Sequence, residues 1–178
     1  MLRVGGRAGA PVPAAGVSDG RVVVPMGQLA VKTAPLTLAA LGLGSCVAVM
    51  LYDRVATVGG MAHVLLPAGP AGAMRANPAR YAQTAVPALV DAVLAAGAHR
   101  PRLTARLAGG ATMFANLVAP GLISIGERNT LAVREGLDAL GIRVAGELVG
   151  GDHGRTVVFD LSDGRVRITS VRHGSHEL

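Results

Sequence analysis

Two apolar runs near the middle of this 178-residue chain restrict its fold more than any other feature. Cys46–Tyr52 (Cys-Val-Ala-Val-Met-Leu-Tyr) and Val58–Leu66 flank a polar tip, Asp53-Arg54-Val55-Ala56. A strand with one wet face alternates apolar and polar residues, whereas these two runs are apolar on both faces. A hairpin of this kind has to be covered on both sides, which calls for a layered molecule.

The rest of the chain supplies the layers. Arg21–Val24 and Gly27–Lys32 read as short strands, and Leu36–Leu43 as a further extended segment. A Pro/Gly/Ala loop covers residues 67–76. Asn77-Pro78 then has the form of a helix start, with Asn as the cap and Pro in the first turn. The helix should run to about Ala96 and stop at Gly97. Tyr81, Ala85, Leu89 and Val93 share one face, and Pro87 should kink it. Arg102–Leu107 alternates, with Leu103, Ala105 and Leu107 on one side, and reads as a strand. A second helix is expected from about Glu127 to Leu140. Strands follow at Arg143–Val149, Thr156–Leu161 and Arg165–Val171, the last two joined by the turn Ser162-Asp163-Gly164. Strands mostly in succession, with two main helices, predict an α+β fold in place of a doubly wound one. Residues 1–20 read as a flexible tail rich in Gly, Ala and Pro, and residues 21–178 as a single domain.

Composition removes several classes of function. Four aromatic residues and no Trp disfavour a protein that stacks nucleic-acid bases. A single cysteine, Cys46, excludes an internal disulfide and a Cys-based zinc site, and suits a reducing compartment. The longest uncharged stretch, Ala34–Tyr52, approaches the length of a membrane span. Its proline, glycines and hydroxyls fit strand and turn instead. The N-terminus lacks the apolar core of a signal peptide, so the expected location is the cytoplasm, without membrane insertion. The net charge of +6 comes from sixteen arginines and Lys32. They are scattered, with Arg100, Arg102 and Arg106 the tightest group, which suits a solvated face or docking to an acidic partner.

No cofactor or metal is expected. Gly42-Leu43-Gly44 lacks the third glycine of a dinucleotide fingerprint, since Val47 stands there. Lys32 has no phosphate-loop glycines before it. No serine lies in a nucleophile elbow, and His99, His153, His173 and His176 lack metal-ligand spacing.

One arrangement has chemical promise. With a tip of residues 53–56, Tyr52 faces Thr57, and the same register sets Cys46 directly opposite His63, with Cβ atoms about 4.5–5.5 Å apart. A tip two residues longer or shorter makes them diagonal neighbours, and a one-residue slip puts them on opposite faces. An imidazole beside a thiol can take its proton and later protonate a leaving amine. The glycine-rich approach Leu41-Gly42-Leu43-Gly44-Ser45 lets backbone come close to a substrate, so Gly44 and Ser45 are the candidate oxyanion loop. Gly59-Gly60 on the partner strand should leave space beside the pair.

Leu41-Gly42-Leu43-Gly44-Ser45-Cys46-Val47 and Gly59-Gly60-Met61-Ala62-His63-Val64-Leu65-Leu66-Pro67 resemble the chemoreceptor glutamine deamidases, the CheD family. The likeness continues at Arg80-Tyr81-Ala82, at Gly109-Gly110-Ala111-Thr112-Met113-Phe114, at Ile125-Gly126-Glu127-Arg128-Asn129 and at Gly150-Gly151-Asp152-His153-Gly154-Arg155. The resemblance implies hydrolysis of selected glutamine side chains of methyl-accepting chemotaxis receptors to glutamate, with release of ammonia. It makes Cys46 the nucleophile, through a thioester, and His63 the base and then the acid. It also implies a fold of layered β-sheets, sandwich-like, with the two main helices packed outside, similar to the cytotoxic necrotizing factor catalytic domain. The alternative is a non-catalytic regulatory module that binds receptors and the CheC phosphatase, as some members of the family do. The sequence departs from the family at Ala40, where a threonine usually serves as a third site member. Either a backbone carbonyl or another side chain orients the imidazole, or the chain is a slow enzyme or has kept only binding.

Overall fold

The computed structural model describes residues 17–18, 20–113 and 122–178. In chain order its strands are β1 (Val17–Ser18), β2 (Arg21–Val23), β3 (Leu29–Thr33), β4 (Thr37–Leu43), β5 (Val47–Asp53) and β6 (Val58–Val64), then β7 (Thr104–Gly109), β8 (Arg143–Val149), β9 (Arg155–Asp160), β10 (Val166–Ser170) and β11 (Gly174–Glu177). The α-helices are α1 (Ala71–Ala76), α2 (Ala82–Ala95) and α3 (Ile125–Ala139).

The strands form two sheets, one in the order β1-β2-β4-β9-β10-β11 and the other β3-β6-β5-β7-β8. The second sheet is the middle layer. Its inner face packs on the first sheet through Ala48, Met50, Tyr52 and Met61 against Leu38, Phe159, Leu161 and Ile168. Its other face carries α2 and α3 through Val47, Val49, Leu51 and Val64 against Ala85, Leu89, Val93, Val133 and Leu137. Every residue of β5 and β6 is buried, as the two-faced apolar pattern requires. Each fully buried Val or Leu contributes about 1.5–3 kcal/mol, so this central hairpin anchors both cores. The fold is α+β with layered sheets and helices outside.

Several local expectations change. The α-helix does not begin at Asn77-Pro78. Pro78–Arg80 form one 3-10 turn, Tyr81 is extended and bridges Leu66, and α2 starts at Ala82. Its buried face includes the expected Ala85, Leu89 and Val93, and the helix continues through Pro87. The loop at 67–76 contains the short helix α1. Val17–Ser18, read as tail, pair with Val22 and Arg21, and β11 adds a strand at the other edge. The remainder of the tail reading (residues 1–16 and 19) and Phe114 lie outside the described residues.

The central hairpin closes on Arg54–Thr57 instead of 53–56. Asp53 looks like a tip residue because it is charged, but it is fully buried and pairs with Val58. Its carboxylate accepts from the backbone N–H groups of Val55, Ala56 and His99 and from Arg102, whose guanidinium lies 2.8 Å away. These bonds hold the Asp53 carboxyl well below the usual carboxylate range, with Arg102 the largest contribution. They also employ one member of the arginine group inside the fold. A second member, Arg100, donates to the Leu140 carbonyl.

Candidate functional site

The hairpin register decides how the thiol meets the imidazole. Ala48, not Cys46, stands opposite His63, and Val47 stands opposite Val64. The direct pairing expected from a 53–56 tip is therefore corrected to the diagonal, because Asp53 is drawn into the ladder. Cys46 lies two residues from Ala48, so its side chain shares the inner face with His63. Diagonal neighbours in an antiparallel ladder sit about 7–8 Å apart. Both groups are nearly enclosed, at 6% exposure for Cys46 and 3% for His63.

His63 has a defined tautomer. Its Nδ1 lies 3.2 Å from the carbonyl oxygen of Val24. A carbonyl can only accept, so Nδ1 carries the proton and Nε2 carries the free lone pair. Among the described residues Nε2 is buried with no hydrogen-bond partner. Burial depresses the imidazole's pKa, and the bond to Val24 opposes that in part. Burial raises the Cys46 thiol's pKa, and its own backbone N–H opposes that. The pair thus rests as neutral thiol and neutral imidazole, a base with an open acceptor beside an acid.

Val24 is fixed by the first sheet, its N–H donating to the Ala39 carbonyl across 2.7 Å. Ala40 is the next residue, fully buried opposite Val157. A backbone carbonyl therefore orients His63 in this chain. Main-chain groups leave no sequence signal, so inspection of the sequence could not distinguish this solution from another side chain.

The approach to the thiol is shaped by glycine. β4 bulges between Ala40 and Leu43, which turns Leu41 and Gly42 outward. At Gly44 a Cβ would lie 3.0 Å from Cγ of Met113. The three carbonyls leading into the strand are all held: Gly44 by Ala111 N–H, Ser45 by the Asn129 amide and Cys46 by Gly110 N–H. Gly109 has φ 108°, and a Cβ there would fall 2.2 Å from the Cys46 carbonyl oxygen. Only glycine permits that approach. Gly59 and Gly60 do not open space beside the pair. Side chains of Phe159 and Leu161 fill the place of a Cβ at Gly59, and those of Leu89 and Val93 do so at Gly60.

Asn129 is the residue that sequence reading passed over. It lies on the buried stripe of α3 with Gly126, Thr130, Val133 and Leu137, and a polar residue on such a stripe is the available signal. Its Nδ2 donates to Ser45 O (2.9 Å) and Leu65 O (3.0 Å), on the two strand ends flanking the thiol. Ser124 caps α3 by accepting from Glu127 N–H, and its hydroxyl accepts from Thr112.

A cavity of about 690 Å³ is lined by neither Cys46 nor His63. It lies beyond the β4 bulge, against Gly42, Met113, His153 and Arg155. Asp152, His153 and His173 bring their donor atoms within 4.8 Å of one another, which their spacing in sequence did not reveal. Arg155 and Arg172 line the same cavity, and their positive charge opposes a cation there. Among the described residues no helix is long and apolar enough to cross a membrane.

A thiol and a tautomerically fixed imidazole share one buried sheet face, reached through glycine-shaped backbone. The family model for CheD chemotactic sensory transduction matches residues 65–170. Three curated relatives, each named a probable chemoreceptor glutamine deamidase CheD, align over most of the chain. The protein from Desulforamulus reducens is 40% identical over 153 residues, 86% of this chain and 92% of the relative. Those from Pyrococcus abyssi and Methanococcus maripaludis are 44% identical over 153 residues and 46% over 143, covering 86% and 80% of this chain and 93% and 90% of theirs. The chain belongs to the CheD family. A match of 153 residues in a chain of 178 necessarily includes Cys46 and His63, which precede the segment matched by the family model.

Proposed function

We propose that this protein is a protein-glutamine deamidase acting on methyl-accepting chemotaxis receptors, with Cys46 as nucleophile and His63 as base and acid. The observation that carries the reading is the His63 tautomer. Nδ1–H is committed to Val24, which leaves Nε2 as a lone-pair acceptor with no hydrogen-bond partner among the described residues, on a ring that shares its sheet face with the thiol. In the first half-reaction Nε2 takes the thiol proton as Sγ bonds to the side-chain carbonyl carbon. The carbonyl electrons move onto oxygen, where backbone N–H groups of the Gly44–Cys46 segment stabilise them. Collapse of this intermediate breaks the C–N bond, the imidazolium gives its proton to nitrogen, and ammonia leaves. In the second half, Nε2 takes a proton from water as the hydroxide attacks the thioester. Sγ departs, is reprotonated from the imidazolium, and glutamate remains.

The surroundings favour a protein substrate. Met26, Leu41, Met113, Leu122 and Ile123 are exposed apolar residues around this end of the fold. Gly27 N–H bonds to the His63 carbonyl, Met113 touches Gly44, and Thr112 bonds to Ser124, so Met26, Met113 and Ile123 adjoin residues tied to the site, and Leu41 lies on the glycine-rich approach itself. Such a rim suits the apolar stripe of a receptor helix, and the positive net charge suits an acidic bundle in the cytoplasm. Likeness to the cytotoxic necrotizing factor catalytic domain belongs to the same proposal, supported by the two-sheet frame with outer helices.

The test is mass spectrometry of a receptor cytoplasmic fragment incubated with the protein. Conversion of Gln to Glu by wild type and not by Cys46→Ala is the expected result. A wild-type chain that binds cognate fragments and converts no glutamine would leave the regulatory reading, with CheC docking as its function.

A further inference from the structure

Resting on the deamidase reading, we propose that Asn129 is a positioning residue that aims the backbone N–H of Cys46 at the oxyanion formed on the substrate carboxamide. Both Asn129 donor hydrogens are used, one on Ser45 O and one on Leu65 O. Exchanging its oxygen and nitrogen would set an acceptor against two acceptors, so the orientation of the amide is fixed. The remaining atom, Oδ1, is buried with no partner among the described residues. Native structures leave few such groups, and one retained here indicates that the two donor bonds outweigh its burial.

The peptide between Ser45 and Cys46 is planar and trans, so its C=O and N–H point in opposite directions. Asn129 reaches the Ser45 carbonyl from α3, which covers the outer face of the middle sheet. The Cys46 side chain belongs to the inner face. Holding the carbonyl on the helix side therefore turns the Cys46 N–H toward the side of the sheet that carries the thiol. An oxygen developing on a carbon bonded to Sγ would meet the same donor. The bond to Leu65 ties this peptide to the end of β6, the strand that carries His63. Gly126 allows α3 to come this close, since a Cβ there would fall 2.5 Å from the Gly110 and Ala111 carbonyl oxygens.

The experiment compares two reactions of one thiol in full-length wild type and Asn129→Ala. Deamidation of a receptor fragment needs an oxyanion donor, whereas alkylation of Cys46 by iodoacetamide, a displacement at saturated carbon, does not. Asn129→Ala should lower kcat by about 10²–10³-fold with KM little changed, while the alkylation rate stays within about threefold. Deamidation near the wild-type rate overturns the proposal. So does a parallel fall in both reactions, which would make Asn129 merely structural. A measurement on wild type avoids any folding defect. A receptor peptide with an aldehyde in place of the target carboxamide should move the Cys46 amide proton downfield as the thiohemiacetal forms, and an unmoved resonance overturns the assignment. Wild type that converts no glutamine refutes the deamidase reading itself, whatever the variant does.

Discussion

The His63 ring donates from Nδ1 to the carbonyl oxygen of Val24 across 3.2 Å, which joins the imidazole of one sheet to the backbone of the other. That bond fixes a tautomer without employing a side chain. It explains how the site is assembled with alanine at position 40.

Restoring a threonine should therefore bring no gain. Ala40 is fully buried between the sheets, and the orienting role is already filled. Ala40→Thr is expected to leave kcat/KM at or below wild type and to cost about 1–3 kcal/mol in denaturant unfolding. An increase in kcat/KM would mean that Val24 orients the ring poorly.

Removing the base should separate chemistry from folding. His63→Gln is expected to lower the deamidation rate by about 10²–10⁴-fold, read by mass spectrometry of the receptor fragment. Cys46→Ala should abolish the reaction with little change in melting temperature, because only one sulfur leaves the core. Activity surviving in Cys46→Ala would move the nucleophile elsewhere.

The pH profile follows from burial. The imidazole's pKa is depressed from 6.5, so kcat/KM should hold down to pH 6.5 and fall only below it. The thiol's pKa is raised from 9.0, so iodoacetamide alkylation should keep accelerating above pH 9. An alkylation rate already at its plateau at neutral pH would show a preformed thiolate–imidazolium pair instead. The same His63 shift bears on stability. The unfolded chain takes up a proton below pH 6.5 that the folded chain resists, so its contribution is intact above 6.5 and is lost as pH falls through the lower folded value.

Asp53 provides a stability test far from the thiol. Arg102→Ala removes the charged partner of a fully buried carboxylate and should cost about 3–5 kcal/mol in chemical denaturation. The Asp53 contribution is present above its unfolded value of 3.8 and disappears as pH falls through its depressed folded value, so wild type should lose stability in strong acid more steeply than Asp53→Asn. Equal acid sensitivity of the two chains would show that this carboxylate is not the group responsible.

Much of the fold was readable because burial on two faces leaves a plain mark. Val47–Asp53 and Val58–Val64 carry it, and so do the 3.6-residue stripe of α2 and the alternation at Leu103, Ala105 and Leu107. What the sequence hid was decided by long-range partners. Asp53 looks like a loop residue until His99 and Arg102, more than forty residues away, enclose its carboxylate. That single misplacement turned a diagonal into a direct pair. That Cys46 and His63 share one face of the sheet was legible from parity. The Val24 carbonyl was not, because a main-chain acceptor has the same sequence signature everywhere.

The hairpin closure at Arg54–Thr57 has a consequence for how such a chain can diverge. Side chains alternate sides along each strand, so a slip of one strand past the other by an even number of residues slides the imidazole along its side of the sheet. An odd slip carries it through to the helical side and away from the sulfur. The letters of this remote corner are thus free to change, while the pairing that starts there is held by groups some twenty ångströms distant, about six strand residues away.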